Sequence, residues 1–340
     1  MKAALLTKFK QIELKELEVP KLKEGEALIK VSYAGICGSD VHVFMGHHPT
    51  AKPPLVLGHE FCGTISDIKT EGKGYLKPGD KVVAQPVISC NACDMCVDGK
   101  ENLCADLNII GVHSDGCFAQ YVKMPVRKIY KLPEFVDLRL AVLAEPLAVA
   151  VHDVRRSGLL AGQTVFIIGG GPIGMMIAFL SKLTGASKIV LSEPNESRAA
   201  FAEKQGFPVL NPTKSNIQAE AMKITDGAGF DKVFEVTGTS QGAALMTEIT
   251  KKGGNIVLVG FPNDNYVINT SSIITKELRL DGVRIHAQMN FAAAIGILES
   301  GMLNEQLEAL ITNEFSLDDI CAAMRFSMEE QNHLKVILKV

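Results

Sequence analysis

The stretch QTVFIIGGGPIGMMIAFLSKL, residues 163–183, decides the fold of the second half of the chain. It begins as a short apolar run, passes through three consecutive glycines and a proline, and continues as an apolar segment of helical length. Pro172 suits the first turn of a helix, because its fixed φ is already helical. An apolar strand that runs through a glycine-rich turn into a helix is typical of a dinucleotide-binding unit.

The glycines of this stretch fit the G-x-G-x-x-G pattern. Glycine lets the backbone approach a pyrophosphate closely, and the amino end of the following helix favours its negative charge. The candidate cofactor-binding residues of the loop are Gly169, Gly171, Pro172, Ile173 and Gly174.

An acidic residue, Glu193, stands nineteen residues beyond Gly174, at the end of the next apolar run. A carboxylate there accepts hydrogen bonds from the adenosine ribose and repels a 2′-phosphate, which favours NAD over NADP. The alternative is that Glu193 is a solvated charge at a strand end. Arg198 either covers the adenine or only begins a helix.

Working outward, apolar strands alternate with helices up to about residue 283. The expected strands are 188–191, 230–236 and 255–259, and the expected helices are 196–205 and 241–252. This alternation predicts an α/β fold with a doubly wound parallel sheet, a Rossmann domain over residues 151–283. Residues 1–150 are rich in strand and turn patterns. The mostly helical segment 284–340, which closes with the apolar run 334–338, is expected to return to that first domain.

Composition narrows the class of protein. The chain has 340 residues, a mass of 36.7 kDa, 47% hydrophobic and 21% charged residues, and a net charge of −3. The acidic balance argues against nucleic-acid binding, which needs phosphate neutralisation. No run approaches the roughly 20 apolar residues of a membrane span, and residues 1–20 do not resemble a secretory signal. We therefore expect a cytoplasmic protein whose partner is a small molecule.

Four of the eight cysteines lie within fifteen residues, and their spacing is C-x2-C-x2-C-x7-C. Four thiolates are the ligand set of a closed structural zinc site, and a bound metal would stabilise a lobe poor in apolar residues. An iron–sulfur cluster uses the same ligands. The cysteines are Cys90, Cys93, Cys96 and Cys104.

A second set of candidate ligands is dispersed along the first 150 residues. Cys37 lies in GICGSDVH (35–42), His59 and Glu60 lie in GHE (58–60), and Glu145 interrupts an apolar run at 140–149. Separately, a histidine or cysteine of this kind is more often a packing residue, but a buried acid needs a partner or a metal. Together they would form a three-ligand zinc site with one open position.

These motifs resemble those of the zinc-dependent medium-chain dehydrogenase/reductase family, and in particular its polyol (sorbitol) dehydrogenase branch. GICGSDVH, GHE, the four-cysteine lobe, AEPLAV (144–149) and GGGPIG (169–174) occur in the family order. The resemblance covers nearly the whole chain and implies a strand-rich GroES-like catalytic domain beside the Rossmann domain.

The resemblance also implies residue roles. Cys37 and His59 would bind the catalytic zinc, with Glu60 or Glu145 as the carboxylate. Ser39 would contact the reacting alcohol oxygen, and His42 would lie at the far end of the proton relay. Glu193 and Arg198 would contact the adenosine ribose of NAD, and Val259 and Gly260 would line the nicotinamide side.

The chain departs from the sorbitol branch at several positions. Sorbitol dehydrogenases carry an aromatic residue directly after the first motif, whereas this chain has Val43 followed by Phe44. Residues 282–286 also lack the Arg-Tyr pair of that branch. Segments 46–52 and 110–121 are more similar to bacterial dehydrogenases of sugar acids. A substrate carboxylate could therefore be held by cationic side chains, or these could be solvated loop residues. The candidates are Arg284, His47, His48 and Lys52.

The sequence thus predicts a zinc- and NAD-dependent dehydrogenase acting on a secondary alcohol of a sugar acid or polyol. The alternatives are an L-threonine dehydrogenase, a sugar-phosphate dehydrogenase of the galactitol-1-phosphate type, and a non-catalytic regulator that binds NAD and zinc. The resemblance further suggests a homotetramer or homodimer. Cys117 has no role that the sequence explains.

Overall fold

The structure is a computed structural model that describes residues 1–70, 74–262, 265–330 and 332–340. The chain divides into two compact units. The first comprises residues 1–148 and 287–340, and the second comprises residues 149–286.

The first unit is dominated by strands. Its strands are β1 (Lys2–Lys8), β2 (Gln11–Glu16), β3 (Glu26–Ile36), β4 (Leu55–Val56), β5 (Glu60–Lys69), β6 (Lys81–Ala84), β7 (Val87–Ile88), β8 (Asn108–Ile109), β9 (Tyr121–Pro125), β10 (Ile129–Lys131), β17 (Ile311–Ser316) and β18 (Lys335–Lys339). Its helices are α1 (Gly38–Met45), α2 (Asp94–Val97), α3 (Leu138–Ala141), α10 (Gln288–Ser300), α11 (Asn304–Leu310) and α12 (Ile320–Glu329). The unit boundary at residue 148 falls within helix α4 (Ala144–Ser157).

A seven-stranded sheet organises this unit around strand β3. The strand order is β10-β6-β5-β3-β18-β17, and β9 also pairs with β3. Strand β3 alternates apolar and polar side chains from Ile29 to Ser32, and its last three residues are all buried. Its carboxyl end pairs with the start of both neighbours, since Gly35 is opposite Glu60 and Ile36 is opposite Val336. The register therefore brings two distant parts of the chain to residues 35–37.

The second unit is a parallel sheet with helices between its strands. Its strands are β11 (Thr164–Ile168), β12 (Lys188–Ser192), β13 (Val209–Leu210), β14 (Phe230–Glu235), β15 (Thr250–Leu258) and β16 (Arg279–Gly282), and its helices are α5 (Pro172–Leu183), α6 (Glu196–Lys204), α7 (Ile217–Ile224), α8 (Ser240–Ile249) and α9 (Thr270–Thr275). The order is β13-β12-β11-β14-β15-β16, and all five pairings are parallel. The order reverses beside β11, at the position where doubly wound sheets bind ligands.

Apolar residues fill the space between this sheet and its helices. Phe166 and Phe230 form a buried edge-to-face pair with ring centroids 5.0 Å apart, and Met246 of helix α8 belongs to the same core cluster. The doubly wound α/β fold expected from the sequence is confirmed.

Several elements differ from the sequence-based expectation, which did not include β13, β16, α7 or α9. Helix α8 ends at Ile249 instead of residue 252, because Thr250 already pairs with Phe230 and begins strand β15. The segment after residue 283 also contains strand β17, which the mixed polar pattern ITNEFS did not predict. Within the described ranges, no helix has both the length and the hydropathy to cross a lipid bilayer.

Candidate active site

Three of the predicted ligands meet where strands β3 and β5 begin to pair. Cys37 directly follows β3 and precedes helix α1, His59 precedes β5, and Glu60 is the first residue of β5. One ligand atom from each of the three lies within 4.8 Å of the other two. Because Gly35 is opposite Glu60 in the sheet register, the backbone pairing itself sets this proximity.

A buried aspartate, Asp40, holds the three-residue group in place. Its carboxylate accepts hydrogen bonds from the backbone amides of Cys37 (2.9 Å) and Gly58 (3.2 Å). The same carboxylate lies 3.3 Å from Nδ1 of His59. Burial opposes the charged form of His59, but Asp40 and Cys37 outweigh it and raise the pKa of this imidazole well above its ordinary value. Asp40 therefore orients His59 from behind, as second-layer carboxylates do at metal sites.

Glu60 is paired with a lysine from the carboxyl-terminal strand. Lys335 of β18 forms an ion pair with Glu60 and donates a hydrogen bond to the Ile36 carbonyl (3.1 Å). Both side chains are buried. Burial raises the pKa of Glu60, and the charge of Glu145 adds to that effect against the opposing influence of Lys335 and His59. Burial lowers the pKa of Lys335, but Glu60 and Cys37 reverse this and leave it raised.

The two candidate carboxylates thus occupy different places. An oxygen of Glu60 belongs to the compact group with Cys37 and His59, whereas that group as described does not contain Glu145. Glu145 is buried in the first turn of helix α4 and acts electrostatically on Glu60. Both therefore remain candidates, Glu60 at the group itself and Glu145 beside it.

Ser39 and His42 lie three residues apart on helix α1, a spacing that places side chains on the same helix face. Ser39 Oγ is 3.3 Å from Nε2 of His59. The Ser39 hydroxyl therefore borders the group, and His42 follows one helical turn later.

Close backbone packing fixes the segment that carries His59. A Cβ atom on Gly111 would lie 2.3 Å from the Gly58 carbonyl oxygen, and one on Gly116 would lie 2.1 Å from the same atom. Gly58 has a φ of +92° and its own Cβ would lie 2.3 Å from Phe118. Larger residues at the three glycines would displace the backbone next to His59. Cys117 is buried in the same place, with its thiol 3.6 Å from the Glu60 carbonyl.

The group has the donors that zinc prefers. A thiol, an imidazole and a carboxylate are ligands of catalytic zinc, which uses three protein ligands and keeps a fourth position open. The compact arrangement of Cys37, His59 and Glu60 fits such an ion.

The four-cysteine lobe has the geometry of a closed site. The Sγ atoms of Cys93 and Cys96 are 3.5 Å apart, and those of Cys93 and Cys104 are 3.9 Å apart. A tetrahedral ion with bonds of about 2.3 Å to sulfur separates its ligands by about 3.8 Å. Hydrogen bonds from the backbone amides of Ala105 and Cys96 lower the pKa of Cys93 to about 6. The lobe therefore fits one tetrahedral ion, and these spacings favour a single ion over an iron–sulfur cluster.

A buried polar network ties this lobe to the rest of the unit. Glu101 lies between the third and fourth cysteines, and its carboxylate is 3.5 Å from Nζ of Lys128. Lys128 is 1% exposed and donates a hydrogen bond of 2.8 Å to Gln85. The other Glu101 oxygen accepts a hydrogen bond from the backbone amide of Gln288 at the start of helix α10.

In the second unit, the predicted glycine loop joins β11 to helix α5. Gly169 has a φ of +108°, and a Cβ on Gly174 would lie 2.0 Å from the Gly169 carbonyl oxygen. Gly171 caps helix α5, and Pro172 and Ile173 are its first two residues. The loop is therefore as tight as a phosphate-binding turn requires.

Glu193 lies beside this loop, directly after β12. Its two carboxylate oxygens accept hydrogen bonds from the backbone amides of Gly170 (2.7 Å) and Asn195 (2.8 Å). Arg198 lies in the first turn of helix α6. Its guanidinium is 3.9 Å from the position that a Cβ atom on Gly171 would take. The carboxylate is thus fixed at the edge of the glycine loop, with a cation close by.

Val259 and Gly260 directly follow strand β15. Their backbone amides both donate to the Glu235 carbonyl, at 2.8 and 2.9 Å. A Cβ on Gly260 would lie 2.1 Å from the backbone nitrogen of Gly238. The segment is therefore fixed at the carboxyl end of the parallel sheet, where nucleotides bind in such folds.

The candidates for holding a carboxylate belong to both units. His47, His48 and Lys52 follow helix α1 in the first unit, and Arg284 belongs to the second. Sequence reasoning did not identify Asp40 or Lys335 as members of the site. Lys335 did carry a signal, since it is a charge inside the apolar run 334–338, whereas Asp40 had none.

Comparison with known families agrees with this architecture. Residues 23–134 match the alcohol dehydrogenase GroES-like domain. Residues 172–300 match the zinc-binding dehydrogenase family.

Curated relatives extend the similarity over most of the chain. It is 37% identical over 300 residues to a 2-dehydro-3-deoxy-L-galactonate 5-dehydrogenase of Pseudoalteromonas atlantica, which covers 88% of this chain and 87% of that protein. It is 31% identical over 346 residues to a sorbitol dehydrogenase of Bacillus subtilis, which covers 99% and 97%.

Two solved structures share the fold along the full length. One, from Escherichia coli CFT073, is described as a short chain alcohol dehydrogenase (rspB) complexed with NADH; its TM-score is 0.93 at 30% identity, covering 100% of this chain and 99% of that one. The other, from Sinorhizobium meliloti 1021, is described as a putative zinc-binding dehydrogenase bound to NADP; its TM-score is 0.92 at 30% identity, with the same coverage. The chain therefore belongs to the zinc-binding dehydrogenases of the alcohol dehydrogenase family, with a GroES-like domain and a Rossmann-type domain.

Proposed function

We propose that this chain oxidises a secondary alcohol of a sugar acid or polyol, with NAD as the hydride acceptor and zinc as the catalytic metal. The observation that carries the proposal is the convergence of Cys37, His59 and Glu60 within 4.8 Å, next to the Ser39 hydroxyl. The names of the curated relatives support the substrate class, since they include a galactonate-type and a sorbitol dehydrogenase.

Cys37, His59 and a carboxylate from Glu60 or Glu145 would hold the catalytic zinc. When bound there, zinc acts as a Lewis acid that lowers the pKa of a substrate hydroxyl. Asp40 keeps the His59 ring oriented, and Lys335 holds the Glu60 carboxylate. The four cysteines of the lobe would hold a second, structural zinc.

Ser39 and His42 would carry the proton away from the substrate. The Ser39 hydroxyl lies 3.3 Å from a ring nitrogen of His59, so a substrate oxygen at this group is within reach of Ser39 Oγ. His42, one turn along helix α1, would pass the proton onward. A general base at this position assists while the carbinol carbon gives up its hydride.

The acid at Glu193 supports NAD over NADP. Its carboxylate is fixed by two backbone amides at the edge of the glycine loop. A fixed negative charge there disfavours the 2′-phosphate of NADP and can accept hydrogen bonds from a ribose diol.

The substitution Cys37→Ser tests the proposal. We expect the purified wild-type chain to contain two zinc ions and the variant to contain one, because the serine hydroxyl is a poorer zinc ligand than a thiolate. Turnover of polyols and aldonic acids should be lost, while NADH binding, followed by fluorescence titration, stays within about twofold.

The control is Cys321→Ser, which changes an exposed cysteine outside both cysteine-containing groups. This variant should keep both metals and full turnover. A Cys37→Ser variant that retains two zinc ions, or one that turns over normally, would refute the assignment of the catalytic site.

A further inference from the structure

A buried acid, Glu235, lies at the carboxyl end of the parallel sheet, and its side chain has no part in the function proposed above. It is the last residue of strand β14 and is 0% exposed. Its register partners are Ile168 of β11 on one side and Leu258 of β15 on the other. The glycine loop follows Ile168, and Val259 and Gly260 follow Leu258. Glu235 therefore lies between the two segments that border the candidate cofactor crevice.

The Glu235 carboxylate is held by neutral donors. One oxygen accepts hydrogen bonds from the Thr237 amide (2.9 Å), the Thr237 hydroxyl and the Gly238 amide (3.1 Å), and the other accepts from the Gly238 amide at 3.0 Å. In the part of the chain that the structure describes, no lysine or arginine forms an ion pair with it. Every contact is donated to the carboxylate, as the ionised, acceptor-only form requires. Neutral donors stabilise its charge but do not cancel it.

The amino end of helix α8 also supports this charge. Thr239 caps the helix, and a Cβ on Gly242 in the first turn would lie 2.4 Å from Oε1 of Glu235. Such a helix end carries a partial positive charge, which favours a carboxylate. The negative charge also acts on a neighbour, because it adds to the effect of burial in raising the pKa of Tyr266. The fold thus maintains a charge that water does not screen.

The position of Glu235 in the sheet indicates which half of a dinucleotide it would face. In doubly wound folds the pyrophosphate binds at the glycine loop, and the acid after the next strand, here Glu193 after β12, contacts the adenosine ribose. Strands β12 and β14 flank β11 on opposite sides. The nicotinamide half is therefore expected on the β14 side, which is the side of Glu235.

We infer that Glu235 tunes the cofactor electrostatically, so that the crevice favours NAD⁺ over NADH and promotes release of the reduced form. The oxidised nicotinamide ring carries a positive charge, which disappears when the ring accepts a hydride. A buried negative charge attracts the first form and not the second. The inference rests on the proposed function for the identity of the cofactor, and it goes beyond that function by assigning a role to Glu235.

The quantity that tests this inference is the affinity of the chain for NAD⁺ divided by its affinity for NADH. The two forms share the adenosine, the pyrophosphate and both riboses. Any distortion of the crevice, and any repulsion between Glu235 and the pyrophosphate, therefore affects both affinities and cancels in the ratio. NADH binding is followed by its fluorescence, and NAD⁺ binding is followed by displacement of NADH, both without substrate.

In Glu235→Gln we expect the ratio to fall about fivefold. Two unit charges about 10 Å apart, at an effective dielectric constant of about 20 to 40, change an equilibrium by a factor of about 4 to 16. Glutamine keeps one oxygen that can accept the hydrogen bonds of Thr237 and Gly238. Glu235→Met, which is neutral and of similar length, should lower the ratio in the same way and replaces the glutamine variant if that variant does not fold.

Three control variants separate the charge from the structure of the turn. Glu235→Asp keeps the charge, and Thr237→Val removes one donor without changing the charge. Both disturb the turn, so each affinity can change, but the ratio should stay within about twofold of the wild type. Glu203→Gln removes an exposed charge from helix α6 of the same unit and should leave the ratio unchanged, because water screens that position.

The outcomes distinguish this inference from the proposed function. An unchanged ratio in Glu235→Gln and Glu235→Met would overturn the inference and leave the dehydrogenase proposal standing. Equal falls in Glu235→Asp and Thr237→Val would also overturn it, since the charge would not be the cause. A shifted ratio in Glu235→Gln, in a chain that oxidises neither polyols nor sugar acids, would support the inference and refute the proposed function. A wild-type chain that binds neither cofactor would refute both.

Discussion

At the scale of single residues, the site depends on one position that has no side chain. Gly35 lies in strand β3 opposite Glu60, and a Cβ there would be 2.0 Å from a Glu60 carboxylate oxygen and 3.0 Å from Cε of Lys335. The buried ion pair of Glu60 and Lys335 therefore occupies space that any other residue at position 35 would take.

We expect Gly35→Ala to lower the free energy of unfolding by about 2 kcal/mol, the usual cost of overpacking a core. It should also reduce the zinc content of the catalytic site, because the Glu60 carboxylate must move. Urea unfolding and metal analysis measure the two effects. Gly296→Ala is the control: no atom lies within 4 Å of its added Cβ in helix α10, so it should be neutral or stabilising. A Gly35→Ala variant as stable and metal-rich as the wild type would contradict this account.

The predictions for single residues were strongest where the residue type itself indicates a chemical role, as cysteine and histidine do for metal binding. Cysteine spacing and the sequence GHE identified groups that the structure indeed brings together. Asp40 and Lys335 could not be found in this way, because aspartate and lysine are common surface residues and these two are distinguished only by their burial. That burial exists only after β3 has paired with both β5 and β18.

At the scale of elements, the four-cysteine lobe is built from pieces too short to be stable alone. It contains the two-residue strands β7 and β8, the four-residue helix α2 and a three-residue 3₁₀ turn, Glu101–Leu103. Besides any metal, the buried contact between Glu101 and Lys128 attaches it to the sheet domain. Burial lowers the pKa of Lys128 against the opposing charge of Glu101.

Replacing Lys128 by methionine leaves Glu101 buried without its cation. We expect the free energy of unfolding to fall by about 3 kcal/mol, as when one partner of a buried ion pair is removed. Lys123→Met is the matched control, because Lys123 is exposed and its pair with Glu26 is long, at 3.9 Å; its cost should be below about 1 kcal/mol. Denaturant unfolding measures the loss of unfolding free energy in each variant. Equal losses would show that the buried Glu101–Lys128 pair stabilises the protein no more than the exposed Lys123–Glu26 pair does.

Elements with a strong period were predictable and those with a mixed one were not. The helix expected from Pro172 is present as Pro172–Leu183. A long apolar run that begins with proline favours a helix, because the fixed φ of proline suits the first helical turn. Strand β17 was missed, since its polar residues alternate weakly and its pairing partner β18 lies over twenty residues away. Short strands of this kind form because they pair with the edge of a neighbouring strand, and the local sequence alone does not predict that pairing.

At the scale of the whole molecule, one buried acid influences how stability responds to pH. Asp153 of helix α4 is 0% exposed, and neither carboxylate oxygen has a hydrogen-bond partner among the described residues. Burial raises its pKa well above the ordinary value. Between the unfolded pKa, about 3.9, and the folded pKa, the native state holds a proton that the unfolded state has lost. Stability from this group therefore falls as the pH rises through that window.

Asp153→Asn should remove this pH dependence. Relative to the wild type, we expect the variant to gain stability steadily as the pH is raised from 5 to 8, as measured by urea unfolding at each pH. Asp226→Asn serves as the control, because Asp226 is exposed in the same unit. Parallel stability curves for wild type and Asp153→Asn would show that Asp153 ionises normally.

The backbones of Gly111 and Gly116 pack directly on the backbone of Gly58, the residue before His59. The loop that carries His113 is held against the His59 segment by main-chain packing at these glycines and by the Asp115 carboxylate, which accepts a hydrogen bond from the Val56 amide. Substitution of these glycines or of Asp115 is therefore expected to disturb the position of the catalytic imidazole. A library for altered substrate preference should accordingly leave the three glycines and Asp115 untouched.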